Sequence, residues 1–471
     1  MESATEPGPE PAAAGGRHMT APAAAPAAFR DARVLRWLAA YTCSVTGDVA
    51  YFMALSWAVA RAAGPAQVGA VVAVGALPRA VLMLGGGVLA DRWGPRRVLI
   101  GSDLVRAVVV LAVAALTAGA GPRLWPLCGL ALVFGSVDAV FMPAVGALPV
   151  RLTSPDQLAR VQGLRSLAVR LSNAVGPLLA GVALSTGGAA MAFTVSGTLF
   201  ALSLAFLLAL RIAPLAAAGA PGATGASVGA GGRAGAGEDG AASTAAVAEG
   251  EAREQAAGPR APRPTAWADL RAGLRRLRSR PRLLMLVIVV ALGDMCFSGP
   301  VATGLVLLTT GRGWPPAALG WILTAFSVGG AVTGLSLAVA PRVPGAGPVM
   351  AAALLVAAAA ITAVGRAPTA AAAVVLGGAL GAASGVASGL GNALVQRETE
   401  PAYQGRITAV TTLCTLGVSP LLLPVTGLVA AAWGPGALFA GFGAVCLTAA
   451  VLACTPVLRG IRLPGTGTET P

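Results

Sequence analysis

Lysine is absent from this chain: all 33 basic residues among its 471 are Arg, and the single His is His18. Without Lys there is neither a Walker A phosphate loop nor a Schiff-base nucleophile, so the chain alone cannot drive transport with ATP. His18 lies in an Ala/Pro-rich stretch. No His-based triad, H-E-x-x-H zinc site or His-ligated haem can therefore sit in the folded body. Charge is also scarce, at 11% of residues, and aromatics make up only 5%. Cys43, Cys128, Cys296, Cys414, Cys446 and Cys454 lie in apolar stretches with no CxxC pair. They read as buried small residues, not as redox or metal ligands. No cofactor and no metal are expected, and proton chemistry falls to carboxylates.

What fills the chain is apolar: 56% of residues are hydrophobic and the mean hydropathy is +0.77. That is the composition of a protein whose solvent is a lipid bilayer. A formal charge of +14 could suggest nucleic acid as a partner. The Arg residues flank long apolar runs instead, where they report membrane orientation, so nucleic acid is not expected.

Apolar stretches of about 20 residues, enough to cross the hydrocarbon core as helix, fall at 34–60, 66–90, 97–120, 124–148, 160–184 and 188–210. A second group falls at 283–310, 316–340, 347–365, 368–396, 406–431 and 435–458. The expected fold is an all-α membrane protein with 12 transmembrane helices in two six-helix bundles. Alternate connections differ in charge. One set carries Arg92, Arg96, Arg97, Arg151, the run Arg271 to Arg282, Arg342, Arg397 and Arg406; the other carries only Arg61, Arg123, Arg312 and Arg366. The Arg-rich side is expected to be cytoplasmic, with both termini on it and the chain in the plasma (inner) membrane. Trp125, Trp314 and Trp433 at the outer boundary, with Trp37 and Trp93 at the inner one, read as an aromatic belt.

The expected organisation is a disordered cytoplasmic tail at 1–30, a six-helix bundle at 31–211, a disordered linker at 212–263, an amphipathic interfacial helix at 264–282, a second bundle at 283–458 and a tail at 459–471. The linker is Ala, Gly, Ser and acids without periodicity, unable to bury enough surface to order itself. In the interfacial helix Trp267, Leu270, Leu274 and Leu277 recur at helical spacing opposite a basic face.

The densest signal is the short connection after the second span, Gly87-Val-Leu-Ala-Asp91-Arg92-Trp93-Gly94-Pro95-Arg96-Arg97. Its acid and arginines can form a charge network that exists in one conformation and breaks in another. In the fifth span, Gly163, Ser172, Gly176, Pro177, Ala180 and Gly181 combine a Gly-Pro kink with small residues that let neighbouring helices close over it. Ordinary small-residue packing explains the same residues. The halves echo one another: Gly47-Asp48 corresponds to Gly293-Asp294, 246 positions on, and Gly176-Pro177 to Ser419-Pro420, 243 positions on. Related halves rocking about a midplane site is the alternating-access architecture.

The connection resembles the loop signature of the major facilitator superfamily, G-x-x-x-D-R-x-G-R-R, carried here by Gly87, Asp91, Arg92, Gly94, Arg96 and Arg97, with Pro95 lengthening the last spacing by one. The resemblance implies that the loop holds the outward-open state by contacting the start of the eleventh span near Arg406. Gly163, Gly176, Pro177 and Gly181 resemble the antiporter motif of the fifth helix, with Ser172 and Ala180 replacing two of its glycines. Gly47-Asp48, Leu77-Pro78-Arg79 and Ser102 to Arg106 look like the branch containing enterobactin-type siderophore exporters and macrolide-efflux proteins. The function implied is export of a small amphipathic molecule in exchange for protons, by a monomer. A uniporter or importer of the same fold and a membrane-embedded non-transport protein remain alternatives, whereas a metal-dependent lipid enzyme lacks its Asp-rich run.

Each charge in hydrocarbon costs about 2.5 to 3.5 kcal/mol by insertion scales and so needs a reason. Asp48, Asp138 and Asp294 are the candidates for protonation, with Arg79 and Arg170 as intramembrane bases. The competing reading pairs Asp48 with Arg79. Asp103 and Arg106 are assigned to the inner loop network, near the start of span three. Tyr51, Phe52, Trp57, Phe134, Phe141, Phe297 and Phe326 line the substrate pocket if their faces point inward; lipid-facing positions account equally well for several of them.

Overall fold

The computed structural model describes residues 31–153, 155–210, 266–297, 299–339, 345–400 and 403–455. The expected tails and linker lie outside these residues. The described chain is helical: α1 (Ala32–Ala63), α2 (Pro65–Trp93), α3 (Pro95–Ala120), α4 (Leu124–Leu152), α5 (Pro155–Ala209), α6 (Ala266–Ser279), α7 (Pro281–Phe297), α8 (Gly299–Gly311), α9 (Pro316–Val339), α10 (Ala346–Arg366), α11 (Ala370–Glu398) and α12 (Gln404–Ala453). Nine helices among the described residues are long and apolar enough to cross a membrane. Two of them are pairs of crossings: α5 leaves helical geometry at Gly187 and Gly188, and α12 does so at Gly434. With α2 added, the described residues make twelve crossings; α7 and α8 together form the seventh, and α6 is extra.

The turns are short because glycine and proline make them so. Gly94 adopts φ +80° and Pro95 follows as the first residue of α3. An L side chain is strained at that φ, while a proline fits the first helical turn, where its missing N–H is not needed. The proline that departs from the loop signature is thus the helix start. Asp31 caps α1 by accepting from the Arg33 N–H at 2.8 Å, and Thr369 caps α11 by accepting from the Ala372 N–H at 3.2 Å.

Glycine also sets how closely the crossings approach. A Cβ built on Gly135 would lie 1.7 Å from the Gly75 carbonyl oxygen, and one on Gly381 would lie 1.9 Å from that of Phe326. These contacts join crossings two and four in the first bundle and eight and ten in the second, so the two halves repeat the same backbone-to-backbone packing. The bundles meet through a second symmetric pair. Gly69 in crossing two sits against Leu423 in crossing eleven, where a Cβ would come within 2.1 Å of the carbonyl oxygen. Gly320 in crossing eight sits against Pro177 in crossing five, at 2.5 Å by the same measure. Both contacts lie toward the ends joined by the Arg-poor connections, hereafter the Arg-poor face.

One expectation is corrected. Trp37 is buried and stacks on Tyr41, with centroids 5.9 Å apart. It is a core residue of the first bundle, not part of a belt. Trp93, Trp125 and Trp433 are exposed. In α6, Leu277 is buried in the core of the second bundle, Arg276 and Arg280 both donate to Glu400, and Arg276 stacks over Tyr403. The helix is thereby pinned to the connection ahead of crossing eleven. Leu274 is exposed, whereas Trp267 and Leu270 have side chains outside the description.

Candidate functional site

The site forms around one guanidinium. Arg106 lies eleven residues into α3, about 16 Å along the helix, and is wholly buried. Its Nη2 donates to Asp138 Oδ1 of α4 at 2.7 Å. Its Nη1 stands 3.5 Å from Asp48 Oδ2 of α1 and 3.8 Å from Asp103 Oδ1, one turn earlier on its own helix. Arg79 of α2 reaches Asp138 Oδ2 at 3.0 Å. Three carboxylates thus share two guanidinium groups.

Crossings one, two, three, four and six each supply part of this cluster. Ser44 and Asp48 are one turn apart on α1, so both face α3. Ser44 Oγ donates to Asp103 Oδ1 at 3.0 Å, and Ser203 Oγ, from crossing six, donates to Oδ2 at 2.6 Å. With Arg106 beside it, buried Asp103 is fully engaged as an acceptor. Aromatic faces enclose the guanidinium: its carbon lies 4.1 Å from the Phe141 centroid, 5.6 Å from Phe200 and 5.8 Å from Phe134. Tyr51 stacks on Phe134. Such faces attract a cation and exclude water.

The members differ in access. Arg106 and Asp103 are sealed, whereas the side chains of Asp48, Asp138 and Arg79 are 31%, 19% and 34% exposed. Ionised throughout, the five groups sum to one negative charge. A single proton would make the cluster neutral; of its three acids Asp48 is the most open, and its nearest guanidinium, Arg106, stands 3.5 Å away.

Several expectations change here. Asp103 and Arg106 are not placed with the inner loop: α3 turns them toward α1 and α4, and burial holds them there. Arg79 pairs with Asp138, not with Asp48. Phe134, Phe141 and Tyr51 are buried in the core of the first bundle; the first two wall in Arg106, so they pack and do not line an open pocket, whereas Trp57, largely buried, does line a cavity at the Arg-poor face. Phe52, Phe297 and Phe326 are partly buried against the same cores. Ser44, Ser203 and Phe200 were not anticipated; Ser44 alone left a trace, in its spacing of four from Asp48.

Asp294, the counterpart of Asp48, accepts from Ser388 Oγ at 3.2 Å in the second bundle. In the loop signature, Arg92 and Arg97 are exposed, while Arg96 Nη2 donates to the Leu207 and Leu208 carbonyls at 3.3 and 3.2 Å. Those carbonyls end crossing six, where a helix leaves acceptors unsatisfied and favours a cation. Gly87 and Asp91 belong to α2, but their surroundings, like those of Arg406, lie outside the description.

The fifth-crossing motif is resolved residue by residue. A Cβ on Gly176 would meet Val49 at 2.9 Å, so this glycine lets α1 approach. Ser172 Oγ donates to the Thr42 carbonyl at 3.1 Å in the same contact. Gly181, by contrast, faces Gly320 across the bundle boundary, at 3.0 Å for a built Cβ. Thr324 Oγ1 donates to the Ala174 carbonyl at 2.8 Å, and the Ala317 N–H donates to Ser185 Oγ at 3.0 Å along the same seam. A Cβ built on Gly163 would meet nothing within 4 Å among the described residues, and the Arg170 guanidinium lies against Gly334 of crossing eight.

A chain with this architecture has many solved relatives in fold. A D-xylose–proton symporter superposes with a TM-score of 0.63 at 12% identity, covering 91% of this chain and 99% of that one. An auto-inhibited POT family peptide transporter gives 0.62 at 14% identity, covering 93% and 99%. At the level of sequence, the chain is 27% identical over 434 residues to the multidrug efflux pump Tap of Mycolicibacterium fortuitum, covering 88% of this chain and 94% of that protein. Residues 37–414 match the sequence profile of the Major Facilitator Superfamily. With two bundles meeting along paired glycine seams and a charged cluster enclosed in one of them, the chain belongs to the Major Facilitator Superfamily, as a multi-pass secondary transporter of small molecules and not an enzyme.

Proposed function

We propose that the chain exports a small amphipathic molecule, such as a drug, an antibiotic or a siderophore-like metabolite, in exchange for protons. It works as a monomer in the plasma membrane, with the Arg-rich face in the cytoplasm. The observation that carries this reading is the surplus carboxylate beside Arg106: three acids against two bases, with Asp48 the most open of the acids. Taking up a proton cancels the cluster's net charge and removes the reason for Asp48 to hold Arg106. Proton occupancy is thereby linked to how crossings one and three pack. The similarity to a multidrug efflux pump supports export as the direction.

The test is substrate-induced pH change in inverted vesicles carrying the parent or a single Asp→Asn variant. Asp48→Asn is expected to abolish coupled proton movement, since the amide copies the shape of the acid and cannot ionise. Asp138→Asn is expected to weaken coupling, and to lower stability because Arg79 and Arg106 both lose a partner. Asp294→Asn tests the counterpart position in the second bundle, where Oδ1 accepts from Ser388 Oγ. Full coupling in all three variants would remove the carboxylates from the mechanism. Transport insensitive to collapse of the proton gradient would favour a uniporter of the same fold.

A further inference from the structure

A second cavity lies away from the Arg106 cluster, at the Arg-poor face. It measures ≈ 590 Å³ and is lined from the first bundle by Trp57, Arg61, Thr117 and Leu184, and from the second by Thr310 and Trp314. Pocket volumes of about 300–1,000 Å³ suit drug-sized ligands. Its chemistry is one-sided. Arg61 is the only charged residue among the lining residues; it is exposed and makes no hydrogen bond or ion pair among the described residues. The neighbouring turns add Arg123 and Arg312 and contain neither Asp nor Glu. Arg312 is already committed, donating to the Gly365 carbonyl at 2.7 Å and stacking 5.3 Å from the Trp314 centroid. Arg61 is therefore the available cation, beside two indole rings. The turns that close the cavity carry Gly187, Gly188 and Gly313, which put no side chain into it, and Gly188 and Gly313 adopt positive φ, where an L side chain is strained.

We infer that this cleft binds an organic anion with a flat aromatic body, its acidic group on Arg61 and its ring against Trp57 and Trp314. The fit is by charge and surface. A cation would face three arginines with no acid to receive it, and a small inorganic anion would leave the indole surfaces uncovered. Since both bundles contribute to the lining, such a ligand spans the seam closed by Gly69–Leu423 and Gly181–Gly320 and holds the Arg-poor ends together. The inference does not depend on which way substrate moves or on proton coupling.

The test uses the purified full chain in lipid nanodiscs, with 2-naphthoate as probe and its neutral amide and cationic methylammonium analogues as controls, read by saturable quenching of Trp fluorescence. The parent is expected to bind the carboxylate at least about tenfold more tightly than either control, as a charge-assisted contact provides. Arg61→Gln is expected to erase that preference while folding normally, because the side chain is exposed. Trp314→Leu is expected to weaken all three probes together. Equal affinity for the three probes in the parent, or an anion preference that survives Arg61→Gln, overturns the site. Tight binding that leaves transport unslowed when 2-naphthoate is added at the Arg-poor face overturns the clamp.

Discussion

Arg106→Leu is expected to destabilise the folded chain by about 3–5 kcal/mol, the cost of leaving buried charges without their partner, and to abolish transport. The size follows from the arrangement around it. Asp48, Asp103 and Asp138 all converge on this guanidinium, and the aromatic rings beside it leave no water to replace it. Heating the detergent-solubilised variant and following its monomer peak by gel filtration measures the loss. Changing Asp48 and Asp138 to Asn in the same chain should recover part of the stability, because it removes the unpaired charges, and none of the transport. An Arg106→Leu variant that melts with the parent would mean that the acids are neutralised by some other means.

Gly69→Val should act with comparable force on function and little on assembly of either bundle. Its new Cβ meets the Leu423 carbonyl at 2.1 Å, and main-chain atoms cannot swing away as a side-chain tip can. Overpacking costs about 1–3 kcal/mol, and here the cost falls only on the conformation in which the Arg-poor ends touch. A bias of that size shifts a two-state equilibrium by about 5- to 150-fold. Spin labels at Arg61→Cys and Gly313→Cys, in a chain whose native cysteines are replaced, should move apart, and transport should fall at least about tenfold. An unchanged distance distribution would show that the contact is not a gate.

Much of this was legible in the sequence, for physical reasons that also mark its limit. Long apolar runs and the Arg asymmetry identify crossings because the bilayer imposes a length and a charge rule on any chain. The single-residue turn at Gly94 is visible as glycine beside a helix-starting proline, and the turn at Gly187 and Gly188 as a glycine pair between apolar runs. Helix rotation was not legible. Ala and Gly populate both faces of most crossings, so hydropathy has almost no periodicity to read. For that reason the sequence alone puts Arg106 with the loop and the aromatics with the pocket. A residue's partner across the bundle depends on rotations of several helices at once. Arg79 found Asp138, and Ser203 found Asp103 from a hundred residues away, without any local signal.

The turns at the Arg-poor face have a bearing on biogenesis. Crossings five and six are joined at Gly187 and Gly188, and eleven and twelve at Gly434. With so little polypeptide between them, neither member of a pair can be threaded and released before its successor follows. Each pair should enter the bilayer as a hairpin in a single event. A glycosylation acceptor or epitope placed in either turn would then report failed insertion, not topology, since lengthening it breaks the unit that the translocon must accept.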